Sequence, residues 1–245
     1  GNLNFRTNNA LFQTFSVDAL NQLATNTRSG TFTAAGITLG SPTNVTVNGA
    51  AATRYGDGTF AKEGLSLSDG TNTFTAIAQD AAGRSDTNES VAYLPAVTLF
   101  QYDGNGNLLS DGRRAFAYDD ENQLTSALVT NAWKSEFVYD GKRRRKVRKE
   151  YSWQDEEWVQ TNEVRYVYEG RLVIQERNEN NQPTVSYARG SDLSGTLQGA
   201  GGIGGMLARY EHSLGLVAYY HADGGGNITT LVDLGGSIVA RYLYD

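Results

Sequence analysis

The chain has no cysteine, a single methionine, three prolines and two histidines among its 245 residues. Without cysteine there is neither a disulfide framework nor a thiolate metal site, although export does not require disulfides. No apolar run approaches the length that spans a bilayer, so no membrane span is expected, nor is a signal peptide expected in the opening GNLNFRTNNA. The net charge of −6 at pH 7 argues against a general nucleic-acid binder. What is abundant is glycine, at 28, and aromatic side chains, with 14 tyrosines and 9 phenylalanines. Tyr, Phe, Val and Thr suit a pleated, half-buried surface, so the composition points to an all-β fold.

One phrase recurs along the chain: an aromatic, then Asp or a polar residue, a short Gly/Asn-rich turn, then Leu or Val. It reads FSVDALNQLAT at 15–25, FQYDGNGNLLS at 100–110, FAYDDENQLTS at 116–126, FVYDGKRRRKV at 137–147 and YVYEGRLVI at 166–174. A looser copy is YYHADGGGNITTLVD at 219–233, and RYLYD at 241–245 opens another. The aromatic-x-Tyr step, as at Phe116 and Tyr118, puts two rings on one face of a strand. The Asp side chain then bonds the nearby backbone to start a turn, and Gly or Asn supplies positive φ. One such hairpin cannot bury its face alone, but stacked copies can. Spacings vary, so the array is expected as a coiled sheet of variable hairpins. Both ends of the text fall inside the pattern, which suggests a piece of a longer polypeptide.

The hairpin over 146–168 carries Trp153 and Trp158 on either side of QDEE. If the two rings are cross-strand partners, Val147 faces Val164 and Arg148 faces Glu163, a register supported by paired aromatics and opposed charges.

Residues 31–95 break the repeat. Short alternating strands such as Val45–Val47 and Phe74–Ala78 are punctuated by N-G, D-G and A-G turns, the pattern of a small β-sandwich. VTVNG, DGTF and L-x-x-G-x-N-x-F-T-A-x-A-x-D-x-x-G in this stretch resemble the bacterial immunoglobulin-like modules of secreted proteins, including the B domain of glucodextranase. Such modules are spacers or binding units.

The phrase YDGNGNLLSDGRRAFAYDDENQLTS resembles the YD repeats of the RHS family. SYARGSDLSGTLQGAGGIGGMLARY and YYHADGGGNITTLVDLGGSIVARYLYD resemble the RHS-repeat-associated core. The resemblance covers roughly 1–30 and 96–245. It implies large bacterial toxin carriers, with teneurins as animal relatives, whose repeats wind as a β-sheet spiral into a hollow shell around a C-terminal toxin. Asp245 matches the start of the D-P-x-G segment, and the self-cleavage motif and any toxin of the family would lie beyond it. The expected organisation is therefore a YD-repeat segment at 1–30, an immunoglobulin-like insert at 31–95, YD-repeat hairpins at 96–186 and the start of the core at 187–245. The expected fold is a coiled antiparallel YD-repeat sheet, part of an RHS shell, with an inserted small β-sandwich.

Several stretches resemble sites of chemistry, and each also has a plain structural reading. Gly199, Gly201 and Gly204 spell G-x-G-x-x-G. A dinucleotide site needs a buried strand before it, a helix after it and an acidic residue about 20 positions on. GSDLSGTLQ and GMLARYEHSLGL supply neither element, so the glycines, with Gly202 and Gly205, are read as serving tight turns and close backbone approach. DGNGN at 103–107 imitates a calcium loop, but Leu108 and Arg114 stand where an EF-hand needs Gly and Glu, and a turn is expected. KRRRKVRK at 142–149 is read as a charged, solvated strand face beside DEE at 155–157 and Glu163, or as a wall facing cargo. His212 and His221, with Ser213 and Asp223 nearby, lack a nucleophile elbow; His221 stands where the repeat puts Asp and reads as a turn or packing residue. Asp119 and Asp120 lie in one turn, and no spacing rule places them across a cleft.

No catalytic residue, cofactor or metal is therefore expected. The expected structural motif is Tyr102–Asp103, Tyr118–Asp119, Tyr139–Asp140, Tyr168 and the core glycines, with Phe116, Phe137 and Tyr166 packing between turns of the spiral. The resemblance implies a non-enzymatic shell segment of a secreted or cell-surface bacterial protein. Its partners would be the rest of its own polypeptide and a C-terminal toxin or cargo. The alternative is an adhesion protein whose insert binds a glycan or protein ligand.

Overall fold

The computed structural model describes residues 3–244; Asp245 lies outside the described residues. Every helix or strand in that range is a β-strand, and the strands pair antiparallel, so the fold is all-β. The chain divides into two compact units, one up to Arg113 and one from Arg114.

In the first unit β1 (Phe5–Asn8), β2 (Leu11–Val17) and β3 (Leu23–Gly30) form consecutive hairpins. The chain then leaves this sheet for β4 (Phe32–Ile37), β5 (Asn44–Val47), β6 (Ala50–Ala51), β7 (Thr53–Arg54), β8 (Thr59–Leu65), β9 (Thr71–Gln79) and β10 (Ser85–Tyr93). It returns as β11 (Val97–Leu99), which pairs beside β3 with Val97 opposite Thr27. The hairpin β12 (Gln101–Tyr102) and β13 (Leu108–Ser110) follows.

The seven strands of the excursion make two sheets, β10-β9-β5-β6 and β4-β8-β7. The period of two turns Val45 and Val47 inward from β5, each only 1% exposed. They meet Phe60 and Leu65 from β8 and Phe74 from β9. This is a two-layer sandwich core. Arg28 on β3 fastens the ends of the excursion: its guanidinium donates to the carbonyls of Leu94 and Ser68. One planar fork thus serves two segments that are distant in sequence.

The second unit is a meander. Its strands are β14 (Ala115–Tyr118), β15 (Leu124–Val129), β16 (Trp133–Tyr139), β17 (Arg145–Gln154), β18 (Glu157–Glu169) and β19 (Leu172–Arg177). They continue as β20 (Pro183–Arg189), β21 (Met206–Glu211), β22 (Leu216–Ala222), β23 (Ile228–Asp233) and β24 (Ile238–Arg241). All lie side by side in chain order. Its buried apolar side chains are few and scattered: Ala127, Val164, Leu172 and Leu231. Stacked rings and guanidinium groups supply much of the rest. Arg145 lies over Phe137 and Tyr166, with its carbon centre 5.8 and 4.8 Å from the ring centroids, and Arg144 lies 4.7 Å over Tyr168.

The β17–β18 hairpin corrects one expected register. Trp153 does face Trp158, edge to face at 4.9 Å. Beyond them the pairing slips, because Glu150 faces Asn162 while Tyr151 faces Gln160. Thr161 is the extra residue, and its hydroxyl donates to the Glu150 carbonyl at 3.1 Å. Val147 therefore faces Arg165, Arg148 faces Val164, and Glu163 is opposite Lys149 instead of Arg148. A bulge shifts every later pair by one.

Candidate functional site

The repeated phrase builds one local device. At Asp103, Asp119 and Asp140 a carboxylate oxygen accepts the backbone N–H groups two and four residues on. The backbone N–H of each Asp donates to the carbonyl four residues on, and its own carbonyl accepts the N–H three residues on. The residue three places on has positive φ: Gly106 at 86°, Asn122 at 60° and Arg143 at 61°. This is a type I turn closed by a left-handed residue, a common three-residue hairpin loop. The side chain of Asn107 on Asp103, and that of Arg144 on Asp140, hold the carboxyl groups below their usual range, with Asp140 at about 2.

The same turn occurs at Asp18, Asp80, Asn178, Asp223 and Asp233. The turns at Asn178 and Asp233 were legible as N-x-x-N and D-x-x-G before an apolar residue, but no aromatic-Tyr precedes either of them. Asp223, not His221, begins the turn in its hairpin; His221 lies on β22 opposite Thr230. The aspartate position of this copy is therefore 223, two residues after His221. Tyr168 precedes a shorter loop, since Glu169 faces Leu172 directly across Gly170 and Arg171.

The tyrosines do something the turn alone does not. The Tyr102 hydroxyl donates to the Leu23 carbonyl at 3.0 Å, Tyr139 to Leu124 at 2.9 Å, Tyr168 to Arg145 at 2.8 Å and Tyr244 to Ile228 at 2.8 Å. Each acceptor stands five residues after the Asp of an earlier turn, where the returning strand begins: Asp18, Asp119, Asp140 and Asp223 respectively. Tyr102, Tyr139 and Tyr168 thus clamp their own hairpins to earlier ones, and Tyr244 ties the chain after β24 to the β22–β23 hairpin. Burial raises the phenols of Tyr139 and Tyr168 above their ordinary value, which keeps them as donors.

The glycine segment forms a loop between β20 and β21, organised by Asp192. This carboxylate is 5% exposed. One oxygen accepts the Ser194 N–H and hydroxyl, and the other accepts the N–H groups of Ala200 and Gly202 at 2.6 and 3.0 Å. The Ser194 hydroxyl first, then these amides, hold Asp192 down at about 2. Gly202 has φ +82°, and a Cβ there would stand 2.4 Å from the buried Leu172 side chain. A Cβ on Gly205 would stand 2.8 Å from the Gly190 carbonyl oxygen. Gly199, Gly201 and Gly204 lie in the same loop, with no helix after them.

The basic run is largely engaged. Arg144 pairs with Asp140, Arg143 with Glu121 at 3.3 Å, and Arg148 with Glu150 at 3.0 Å. His212 Nε2 lies 2.9 Å from the Ser186 hydroxyl, and Gln175 donates to that same hydroxyl at 3.0 Å. Ser213, its sequence neighbour, does not make this contact. No carboxylate sits on the His212 ring among the described residues, so the pair lacks the orienting group of a triad. Among the described residues no group of three or more His, Asp or Glu side chains could hold a metal ion.

One cavity stands out that no motif in the chain announces. It lies between the two sheets of the sandwich, beside β4 and β10, and measures about 1050 Å³. Phe32, Phe60 and Phe74 line it with small side chains of β4 and β9, and Asp86, Asn88 and Ser90 line it from β10.

A sequence profile of the glucodextranase domain B family matches residues 15–93. The chain is 28% identical over 148 residues to the tRNA3(Ser)-specific nuclease WapA of Bacillus spizizenii. That alignment covers 59% of this chain and 5% of the relative, so the chain spans a small fraction of the protein it matches. Among solved structures, TcdB2-TccC3-TEV aligns over 96% of this chain and 12% of its own, at 13% identity and a TM-score of 0.39. A porin-like protein from Bacteroides uniformis ATCC 8492 aligns over 88% and 85%, at 12% identity and a TM-score of 0.21.

Proposed function

We propose that the chain is a non-enzymatic wall segment of an exported RHS/YD-repeat protein, enclosing a C-terminal toxin or other cargo contributed by its own polypeptide. The observation that carries this reading is the tyrosine clamp on the aspartate turn. A sheet in which hairpins are tied to earlier ones at intervals, as at Tyr102, Tyr139, Tyr168 and Tyr244, can grow by repetition, without a separate core for each copy. That is what a wall requires. The meander of β14 to β24 in chain order fits such growth, and the sequence resemblance to RHS repeats supports it independently. On this reading the nuclease activity in the Bacillus relative's name belongs to a part of that protein outside the matched segment. An adhesion role is the second reading, and the open cavity of the insert is the observation that favours it.

The test uses the whole polypeptide read from the flanking gene. The full-length protein is treated with protease, and survival of the C-terminal segment is followed with and without mild denaturant. A wall predicts protection that is lost together with the sheet's circular dichroism signal. Cleavage of that segment as fast as the isolated segment would overturn the reading.

A further inference from the structure

We propose that the free edge of β10 and the cavity beside it bind an extended cationic peptide segment as an added β-strand. β10 ends its sheet and β4 ends the other, and residues of both line the same cavity of about 1050 Å³. The direction of the β10 backbone follows from two hydrogen bonds. The Leu94 N–H donates to the Gly70 carbonyl, towards the β9 side, whereas the Thr87 N–H donates to the Asp86 side chain. With a strand period of two, even-numbered residues of β10 serve the ladder and odd-numbered ones face away from it. The N–H groups of Glu89 and Val91 therefore present an unpaired edge, and the Val91 side chain is 63% exposed.

The cavity gives that edge its selectivity. Ala34 on β4 and Ala76 and Ala78 on β9 are small where the walls of a sandwich are usually filled, which leaves room for alternate apolar side chains of an incoming strand. Its β10 wall is polar and carries one carboxylate, Asp86, while the adjoining Arg84, which also lines the cavity, is paired with Asp80. Asp86, Asn88 and Ser90 face the cavity, and Asp86 carries no ion pair among the described residues. An inward-pointing charge also protects an edge strand from chance pairing. Edge protection accounts for Asp86 but not for the unfilled space beside it. An added strand with a lysine or arginine opposite Asp86 accounts for both. The inference does not depend on the wall reading, since it uses only the insert.

The test uses the full chain and a synthetic acetylated peptide about nine residues long to run along β10, with valines at the alternate positions that face the cavity, one of them replaced by a lysine to stand opposite Asp86, and threonines between them. Binding is read by backbone NMR and titration calorimetry. The expected result is binding that weakens with salt, with slowed amide exchange at Glu89 and Val91. Val91→Pro removes an edge N–H that the ladder does not use and should weaken binding about tenfold or more. The same peptide with alternate backbone nitrogens methylated should fail to bind the unaltered protein, which keeps the test valid should Val91→Pro misfold. No binding at millimolar peptide, or equal binding of the methylated peptide, would overturn the proposal. A soluble glycan that fills the cavity and leaves the Glu89 and Val91 amides exchanging freely would overturn it as well.

Discussion

Replacing Tyr139 and Tyr168 by phenylalanine isolates the clamp from the ring. Each substitution deletes one hydroxyl that donates to a backbone carbonyl, at 2.9 Å for Tyr139 and 2.8 Å for Tyr168, and leaves the aromatic packing in place. A neutral hydrogen bond of this kind contributes about 1 kcal/mol net. For a unit of this size that corresponds to a fall in Tm of roughly 3–5 °C. The two sites are neighbours, because Tyr139 faces Arg145, whose carbonyl is the Tyr168 acceptor. The double variant should therefore depart from additivity by about 0.5 kcal/mol or more. Trp133, Trp153 and Trp158 all lie on β16 to β18, so tryptophan fluorescence during urea unfolding reports this sheet. Tyr219, 43% exposed and with no hydroxyl partner among the described residues, serves as the control, and Tyr219→Phe should stay within about 0.5 kcal/mol of the parent. If Tyr139→Phe and Tyr168→Phe shift the midpoint no more than Tyr219→Phe does, the hydroxyl clamp is not what joins the hairpins.

Three further outcomes are expected. Gly202→Ala meets positive φ and the Leu172 side chain and should destabilise by about 1–3 kcal/mol, whereas Gly201→Ala, with open space around it, should cost only the backbone strain of about 1 kcal/mol; urea midpoints decide. In acid, Asp140 and Asp192 titrate at about 2 when folded against an ordinary 3.8. The unfolded chain then binds more protons, so their contribution is complete above about pH 4 and lost as pH falls towards 2, and Asp192→Asn should flatten that limb. In alkali the order reverses. Burial first, then the bond to Glu136, pushes the Tyr151 phenol up to about 12. The folded state keeps its proton longer, so stability falls as pH rises from 10 to 12, less steeply in Tyr151→Phe.

What could be read from the sequence was whatever is encoded within a few residues. The Asp, the left-handed Gly or Asn and the returning Leu all act inside one turn, and composition alone pointed to an all-β chain. The turns at Asn178 and Asp233 have the same backbone geometry but lack the aromatic-x-Tyr step that marks those at Asp103, Asp119 and Asp140, so only their N-x-x-N and D-x-x-G letters point to them. The offset at His221 has a similar cause. The histidine follows the aromatic pair as Asp does elsewhere, but the carboxylate that reaches the amides two and four residues on is Asp223.

Long-range features were out of reach for a different reason. The register of β17 and β18 turns on a single bulged residue, Thr161, and nothing in EWVQTNEV distinguishes a bulge from a continuous strand. Charge pairing even argued for the wrong partner, because Lys149 and Arg148 are equally good opposites for Glu163. The clamp is subtler still. A tyrosine at each repeat suggests ring packing, but the hydroxyl's acceptor is fixed by the register of a strand laid down earlier in the chain. That acceptor exists only where the returning strand of an earlier hairpin begins, at Leu23, Leu124, Arg145 and Ile228. The tyrosine and the turn are therefore one device. The Asp turn sets where the carbonyl stands, and a later tyrosine uses it, so the repeat is selected as a pair of turns and not as a single phrase. This also explains how spacings between repeats can vary. The clamp constrains the first residue of the returning strand and leaves the length of the strands between free.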